Sequence, residues 1–189
     1  MPASDLLFAL AWAVFYGYWL VSAWKTRSPV KRKNNRGTFL FYGIIWVGIW
    51  IVLVSWLSPD IIGDRVVPAG IGFTLIGLLI TFSGLAFAIW ARVHLGKNWS
   101  GMPAIREGHT LTRTGPYRFV RHPIYSGIIL AFFGTAIGVG YFWTFSCVLL
   151  IFVLFVIKFR MEEKFLEEEF GEEYANYKRE VKALIPYVI

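Results

Sequence analysis

The stretch Gly115-Pro116-Tyr117-Arg118-Phe119-Val120-Arg121-His122-Pro123-Ile124-Tyr125-Ser126-Gly127 sets two Arg, one His and two Tyr against the start of a long apolar run. Proline biases the residue before it away from helical geometry and suits the first helical position, so a helix is expected to start at Pro123. The backbone N–H groups of Ile124, Tyr125 and Ser126 would then lack intrahelical partners. Such a terminus favours a carboxylate or phosphate, and Arg118 and Arg121 add positive charge beside it. The run 123–157 has no Asp, Glu, Lys or Arg and is interrupted near its middle by Gly138-Val139-Gly140. It reads as a tight hairpin of two short membrane crossings. Polar groups at a membrane boundary are costly to keep, which makes the cluster at its start a candidate site. Either Arg alone would be satisfied by snorkelling to headgroups; the cluster as a whole is what marks a site.

Outward from this stretch, three more uncharged windows cover residues 6–24, 37–59 and 66–91. Each is long enough for one crossing of about 20 residues, giving five transmembrane helices in an all-α membrane protein. With 57% hydrophobic and 16% charged residues, the chain is poorer in charge than soluble domains, where about a quarter is usual. The first window has no basic segment before it and no small-residue cleavage site after it, so it reads as a span and not as a cleaved signal. Trp19, Trp24, Trp56 and Trp90 sit near span ends, where interfacial aromatics are expected.

Charge assigns the sides. Loop 25–38 carries Lys25, Arg27, Lys31, Arg32, Lys33 and Arg36; loop 92–122 carries Arg92, Lys97, Arg106, Arg113, Arg118 and Arg121 against the single acid Glu107. The positive-inside rule puts both loops in the cytoplasm, with the N-terminus outside and the C-terminus and site inside, in a prokaryotic inner membrane or a eukaryotic ER membrane. The net charge of +7 then reflects topology and attraction to membrane lipids, not nucleic acid. The single Cys147 forms no intramolecular disulfide or thiolate site, and His94, His109 and His122 lack metal-ligand spacing, so no metal is expected. Gly127, Ala131, Gly134 and Gly138 form a stripe suited to close helix approach, and Gly70 and Gly72 are read the same way. No repeat or linker divides the chain. Residues 1–189 form one domain, with three spans in 1–92 and the catalytic half in 93–189.

Segment 93–121 has no periodic apolar face but holds Trp99, Met102, Ile105, Leu111, Tyr117 and Phe119. It is read as an ordered, partly embedded lid or pocket wall. After the last span, Met161, Phe165, Leu166, Phe170, Tyr174, Tyr177 and Val181 recur with helical spacing, which predicts a cytosolic amphipathic helix with a break at Gly171. Glu162 and Glu163 lie one turn past the membrane exit. There they need a cation, from Lys158, Arg160, Lys164 or a ligand.

The pattern His109-Thr110-Leu111-Thr112, Gly115-x-Tyr117, Arg121-His122-Pro123-x-Tyr125-x-Gly127, then Glu162-Glu163-x-x-Leu166 and Phe170-Gly171-x-x-Tyr174-x-x-Tyr177, ending near Ile185-Pro186, resembles the isoprenylcysteine carboxyl methyltransferase family. The short length looks like its prokaryotic branch. The resemblance covers about the last half of the chain. It implies an S-adenosylmethionine-dependent methyltransferase whose cofactor contacts are His109, Thr110, Leu111, Thr112, Tyr117, His122, Pro123, Ile124, Tyr125 and Glu162. It also implies a basic residue orienting the acceptor carboxylate, at Lys158 by strict spacing or at Arg160 as the nearest arginine. The acceptor would be a prenylcysteine-like or other isoprenoid or lipid acid entering from the bilayer, with segment 93–121 closing over the cofactor. A carboxylate is already ionised at neutral pH and needs no general base. An amine acceptor, as in a phospholipid N-methyltransferase, must lose a proton, which would give Glu163 a catalytic part. The remaining readings are an NADPH-dependent sterol-type reductase, with Tyr117 or Tyr125 as proton donor, and a non-catalytic headgroup anchor.

Overall fold

A computed structural model describes residues 3–25, 31–32, 43, 46, 64–96, 99, 104–105 and 110–188. Five helices are described: α1 (Ala3–Lys25), α2 (Ile71–Leu95), α3 (Pro123–Val139), α4 (Phe142–Phe170) and α5 (Glu172–Glu180). A 3-10 turn, Gly115–Arg118, precedes α3. Leu6–Trp24, Ile71–Leu95 and Phe142–Phe170 are long and apolar enough to cross a membrane, and Pro123–Val139 is a shorter apolar helix. The chain is thus a multi-pass membrane protein whose described residues are mainly helical. The expected second window, 37–59, and His109 lie outside the described residues, apart from Gly43 and Trp46.

Helices α2 and α3 pack backbone to backbone. A Cβ placed on Gly84 would lie 2.5 Å from the Ala131 nitrogen and the Gly127 oxygen, and one on Gly134 would lie 2.5 Å from the Thr81 nitrogen. Gly127, Ala131, Gly134 and Gly138 therefore form the expected stripe, facing Gly77, Thr81 and Gly84. Gly70 and Gly72 do not join it, because a Cβ on either would meet nothing within 4 Å. Polar bonds support the seam where hydrocarbon offers none: Thr81 Oγ1 donates to the Ala131 carbonyl at 3.2 Å, and Trp12 Nε1 donates to Thr135 Oγ1 at 3.0 Å. Trp12 of α1 also packs on Phe132, ring centroids 4.3 Å apart.

The directions of the helices follow from their end contacts. Arg92, near the end of α2, donates to the Ser22 carbonyl near the end of α1 at 3.2 Å, whereas Phe8 covers Gly138 at the end of α3. Helices α1 and α2 run the same way, and α3 runs against them. On the side where α1 and α2 end, Lys31 and Arg32 pair antiparallel with Ile105 and Ala104.

Several expectations are corrected here. The third span begins at Ile71 and not Val66, because the N–H groups of Val66 and Val67 bind the Gly140 carbonyl at 2.8 and 3.0 Å and pin the entry of α2 to the hairpin turn. It also runs past Ala91 to Leu95, so Arg92 belongs to the helix and not to the loop. Arg92 is buried over the Trp99 ring, 4.0 Å from its centroid. Trp19 is a core residue packed edge-on against Trp99, while Trp24 and Trp90 are exposed as interfacial residues would be. The amphipathic segment past the membrane is not a separate helix. Helix α4 runs unbroken to Phe170, and the expected break at Gly171, whose φ is 53°, sets off only α5. The hairpin turn falls as expected, with Gly140 at φ 81° closing α3.

Because the α2–α3 seam leaves no room at Gly84, Gly84→Val is expected to lower stability by about 1–3 kcal/mol. Gly72→Val, facing open space, is expected to leave the thermal midpoint in detergent unchanged. Equal shifts in the two variants, followed by tryptophan fluorescence, would contradict the packing described.

Candidate functional site

Helix α3 does start at Pro123, with His122 as the residue before its first turn. The free N–H groups expected there are fewer than the sequence suggested, since the Ser126 N–H binds the His122 carbonyl at 3.1 Å. What lies beside this terminus is the continuation of α4 beyond its apolar run. The apolar part of α4 ends at Ile157, and Lys158, Glu162 and Glu163 follow on the face turned toward α3.

Two carboxylates organise the site. Glu162 accepts the Tyr125 hydroxyl at 2.7 Å and pairs with Lys158 Nζ at 2.5 Å, one helical turn earlier. Glu163 accepts Arg121 Nε at 2.8 Å and Nη2 at 2.6 Å, and His122 Nε2 lies 3.2 Å from the same oxygen. Its other oxygen meets Lys178 Nζ at 3.2 Å. His122 Nδ1 stands 3.8 Å from Glu162, so the imidazole lies between the two carboxylates. Arg121, His122, Lys158 and Glu163 are all buried, whereas the Glu162 side chain keeps 17% of its surface exposed. Lys178 is held above the usual lysine range, chiefly by its hydrogen bond to Glu167; burial opposes this, and its contact with Glu163 adds to the rise.

Aromatic rings form a column alongside. Phe155 stacks on Tyr125 at 4.5 Å, Tyr125 on His122 at 5.5 Å, and His122 on Phe159 at 5.2 Å. Lys158 Nζ lies 5.5 Å from the centre of the Tyr125 ring.

The C-terminal segment closes the cluster from outside. The N–H groups of Arg121 and His122 donate to the carbonyls of Lys182 and Ala183 at 2.8 and 2.9 Å, and Ser126 Oγ donates to Leu184 at 2.6 Å. Arg121 Nη1 reaches the carbonyls of Lys178 and Val181. Tyr177 donates to the Tyr117 carbonyl at 2.5 Å. Burial pushes both phenols up, so they stay protonated as donors.

Of the expected site residues, His122, Pro123, Tyr125, Lys158, Glu162 and Glu163 are brought together. Tyr117 and Ile124 are buried in the adjoining core with Trp99. Leu111 and Thr112 are half-buried and Thr110 is exposed on the approach to the 3-10 turn. Arg160 is exposed, as is Lys164, so the counter-ions of the two acids are Lys158 and Arg121, not Arg160 or Lys164. Arg118 is exposed against Phe119 and adds nothing to the cluster. Sequence reasoning missed the parts played by Lys178, Tyr177 and segment 182–184. The only signal was the apolar run from Ala183 to Ile189 after the charged stretch 178–182. Among the described residues no group of three His, Cys, Asp or Glu is arranged to hold a metal ion.

Apolar helices closing around one buried, charge-paired cluster at their ends define a membrane protein with an embedded polar site. The phospholipid methyltransferase family matches residues 73–173, from α2 to the start of α5 and over half of the chain, and the chain belongs to that family. It is 34% identical over 122 residues to the protein-S-isoprenylcysteine O-methyltransferase of Saccharomyces cerevisiae, a match spanning 61% of this chain and 49% of the yeast protein. It is 28% identical over 179 residues to the methanethiol S-methyltransferase of Mycobacterium tuberculosis, spanning 87% of this chain and 68% of that one. A methanethiol S-methyltransferase of Crocosphaera subtropica is 42% identical over 72 residues, 38% of this chain and 28% of that one.

Removing one partner of a buried ion pair leaves the other uncompensated. Arg121→Ala is expected to cost about 3–5 kcal/mol. Arg113→Ala, which breaks the exposed pair with Glu180, is expected to cost under about 1 kcal/mol. Thermal denaturation of both variants checks the ranking, and an Arg113 loss as large as that of Arg121 would refute it.

Proposed function

We propose that the protein transfers a methyl group from S-adenosylmethionine to a lipophilic acceptor carboxylate, prenylcysteine-like or another isoprenoid or lipid acid, at the cytosolic membrane face. The observation that carries this reading is Glu162, a partly exposed side chain in an otherwise buried cluster, which accepts the hydroxyl of Tyr125, a ring stacked on Phe155 and His122. A carboxylate beside an aromatic column is chemistry suited to an organic cation, so the residues present fit the cofactor. Glu162, Tyr125 and His122 would hold its cationic part, with Pro123, Ile124, Tyr117 and residues 109–112 forming the surrounding wall. When bound, the cofactor supplies an electrophilic methyl group on a sulfonium.

The protein's own contribution is positional. The aromatic column and the two ion pairs fix the side chains that would flank the reacting groups, and alignment of this kind supplies up to about 7–11 kcal/mol. Lys158, buried where Arg160 is exposed, is the better-placed group for an acceptor anion. Glu163, already engaged by Arg121, His122 and Lys178, is poorly placed to take a proton, which favours an acceptor that needs no base over an amine.

A five-span topology, with residues 37–59 as the second crossing and the site in the cytoplasm, goes with this reading. The parallel run of α1 and α2 supports a crossing between them, and the basic loops favour the cytoplasmic side. A thiol acceptor is the second reading. It is favoured by the mycobacterial methanethiol S-methyltransferase, whose match extends over most of this chain.

Calorimetric titration with S-adenosylhomocysteine tests the assignment. Wild type is expected to bind saturably, and Glu162→Gln about ten- to a hundredfold more weakly, the weight of a hydrogen-bonded charge. Absence of binding in folded wild type, or binding of NADPH instead, would overturn it. Turnover of a prenylcysteine carboxylate but not of a small thiol separates the two acceptors.

A further inference from the structure

Segment 182–188 follows α5 and turns back toward the apolar layer. Ala183 and Leu184 are buried in one cluster with Phe159, against which Tyr125, Ile129, Phe152 and Val156 pack. Ile129 lies six residues past Pro123, about 9 Å along the helix axis, and Phe152 and Val156 belong to the apolar run of α4. Leu184 therefore sits at the depth where hydrocarbon begins. The residues after it have little cover: Ile185 is 47% exposed, Val188 70% and Tyr187 95%. Tyr187 also takes φ 66°, the one left-handed non-glycine among the described residues, and the Val188 N–H donates to the Ile185 carbonyl at 3.1 Å. Left-handed geometry is uncommon for a bulky side chain. Here it turns the chain so that an aromatic ring and an aliphatic side chain stand outside the fold.

Charge indicates what covers them. Lys182 leads into this turn exposed, and Arg118 and Phe119 stand exposed just before Arg121, whose N–H binds the Lys182 carbonyl. Among the described residues neither Lys182 nor Arg118 pairs with a carboxylate, whereas Lys178 and Arg113 do. Aromatic and aliphatic side chains beside such cations, level with a helix end, match the polar–apolar boundary of a bilayer with anionic headgroups. We propose that residues 185–188 are a membrane foot: Tyr187 and Val188 enter the interfacial layer on the side where α3 starts, with Lys182 and Arg118 toward anionic headgroups. None of these four residues is among those that would hold cofactor or acceptor. Lys182 and Ala183 bind the backbone of Arg121 and His122, and Leu184 accepts the Ser126 hydroxyl. Through these bonds the foot holds the segment that closes the buried cluster, and the bilayer becomes part of what keeps that closure in place.

Spin labelling of the full chain in vesicles of equal parts phosphatidylcholine and phosphatidylglycerol tests this. Cys147→Ala removes the native thiol, and a nitroxide is placed at Tyr187→Cys, at Val188→Cys or, as an aqueous control, at the exposed position Glu173→Cys on α5. Labels at 187 and 188 are expected to collide with oxygen in preference to a soluble nickel chelate, the reverse of the label at 173. An aqueous pattern at both would overturn the proposal. So would spin–spin broadening that disappears on dilution with unlabelled protein, since a second copy would then be the cover. An aspartate at either position removes little contact inside the fold but opposes entry into the interface. Tyr187→Asp and Val188→Asp are each expected to speed amide exchange at Arg121 and His122 about tenfold, with helical circular dichroism retained, the scale of one apolar side chain losing its cover. Unchanged exchange in both variants would show that the segment stays closed without the bilayer, and would overturn the foot's part in that closure.

Discussion

The pair formed by Arg121 and Glu163 joins four pieces of chain at one point. Arg121 stands just before α3, and Glu163 lies on the part of α4 beyond the apolar run. Lys178 of α5 completes the Glu163 contacts, and the carbonyls at 178 and 181 take a remaining Arg121 donor. Both members are buried, so neither charge has an alternative in water, and each holds the other in a fixed rotamer. The backbone of Arg121 and His122 is bound to segment 182–183, which keeps the pair from sliding. Once these are set, His122 has one position, stacked between Tyr125 and Phe159. Tyr125 then has one direction for its hydroxyl, toward Glu162. The order of the open carboxylate is therefore inherited from the closed one.

Within the apolar layer a different constraint operates. Lipid gives helices no hydrophobic reason to associate, so contact must come from backbone proximity and the few polar bonds available. The Gly84–Gly127 and Gly77–Gly134 approaches supply the first; Thr81, Thr135 and Trp12 supply the second. This seam fixes the start of α3 relative to the end of α2. The 3-10 turn with Tyr117 is thereby held against Ala91, to whose carbonyl its hydroxyl donates at 3.5 Å.

What could be read from the sequence was local. Pro123 starts a helix, Gly140 closes one and Gly171 interrupts another because each acts through its own backbone. That Lys158 and not Arg160 pairs with Glu162 was also within reach. Positions 158 and 162 are four apart and share a helix face, while 160 points elsewhere. The failures came where a tertiary contact overrides local character. Arg92 looked like a loop charge, yet carbonyls of Ser22 and Gly96 and the Trp99 ring satisfy it inside the helix end. Trp19 looked interfacial, yet it packs on that same Trp99. Val66 and Val67 are apolar enough to begin a span, and their bonds to the Gly140 carbonyl, far away in sequence, hold them out of it. Arg121 and Glu163 are 42 positions apart, and no periodicity links them.

A site built from balanced, buried ion pairs suits a reaction that consumes one charge of each sign. On the proposed reading, a cationic donor and an anionic acceptor become a neutral sulfur compound and an ester. Bringing two ions into a poorly solvated site is costly, and the cost is lowered when each meets an opposite charge already in place. Glu162 and Lys158 are such charges, and they stabilise each other when no reactant is present. A permanently vacant carboxylate would have to be kept ionised at greater cost, and a permanently vacant lysine would attract any passing acidic headgroup. A lysine and a glutamate one turn apart on the same helix avoid both.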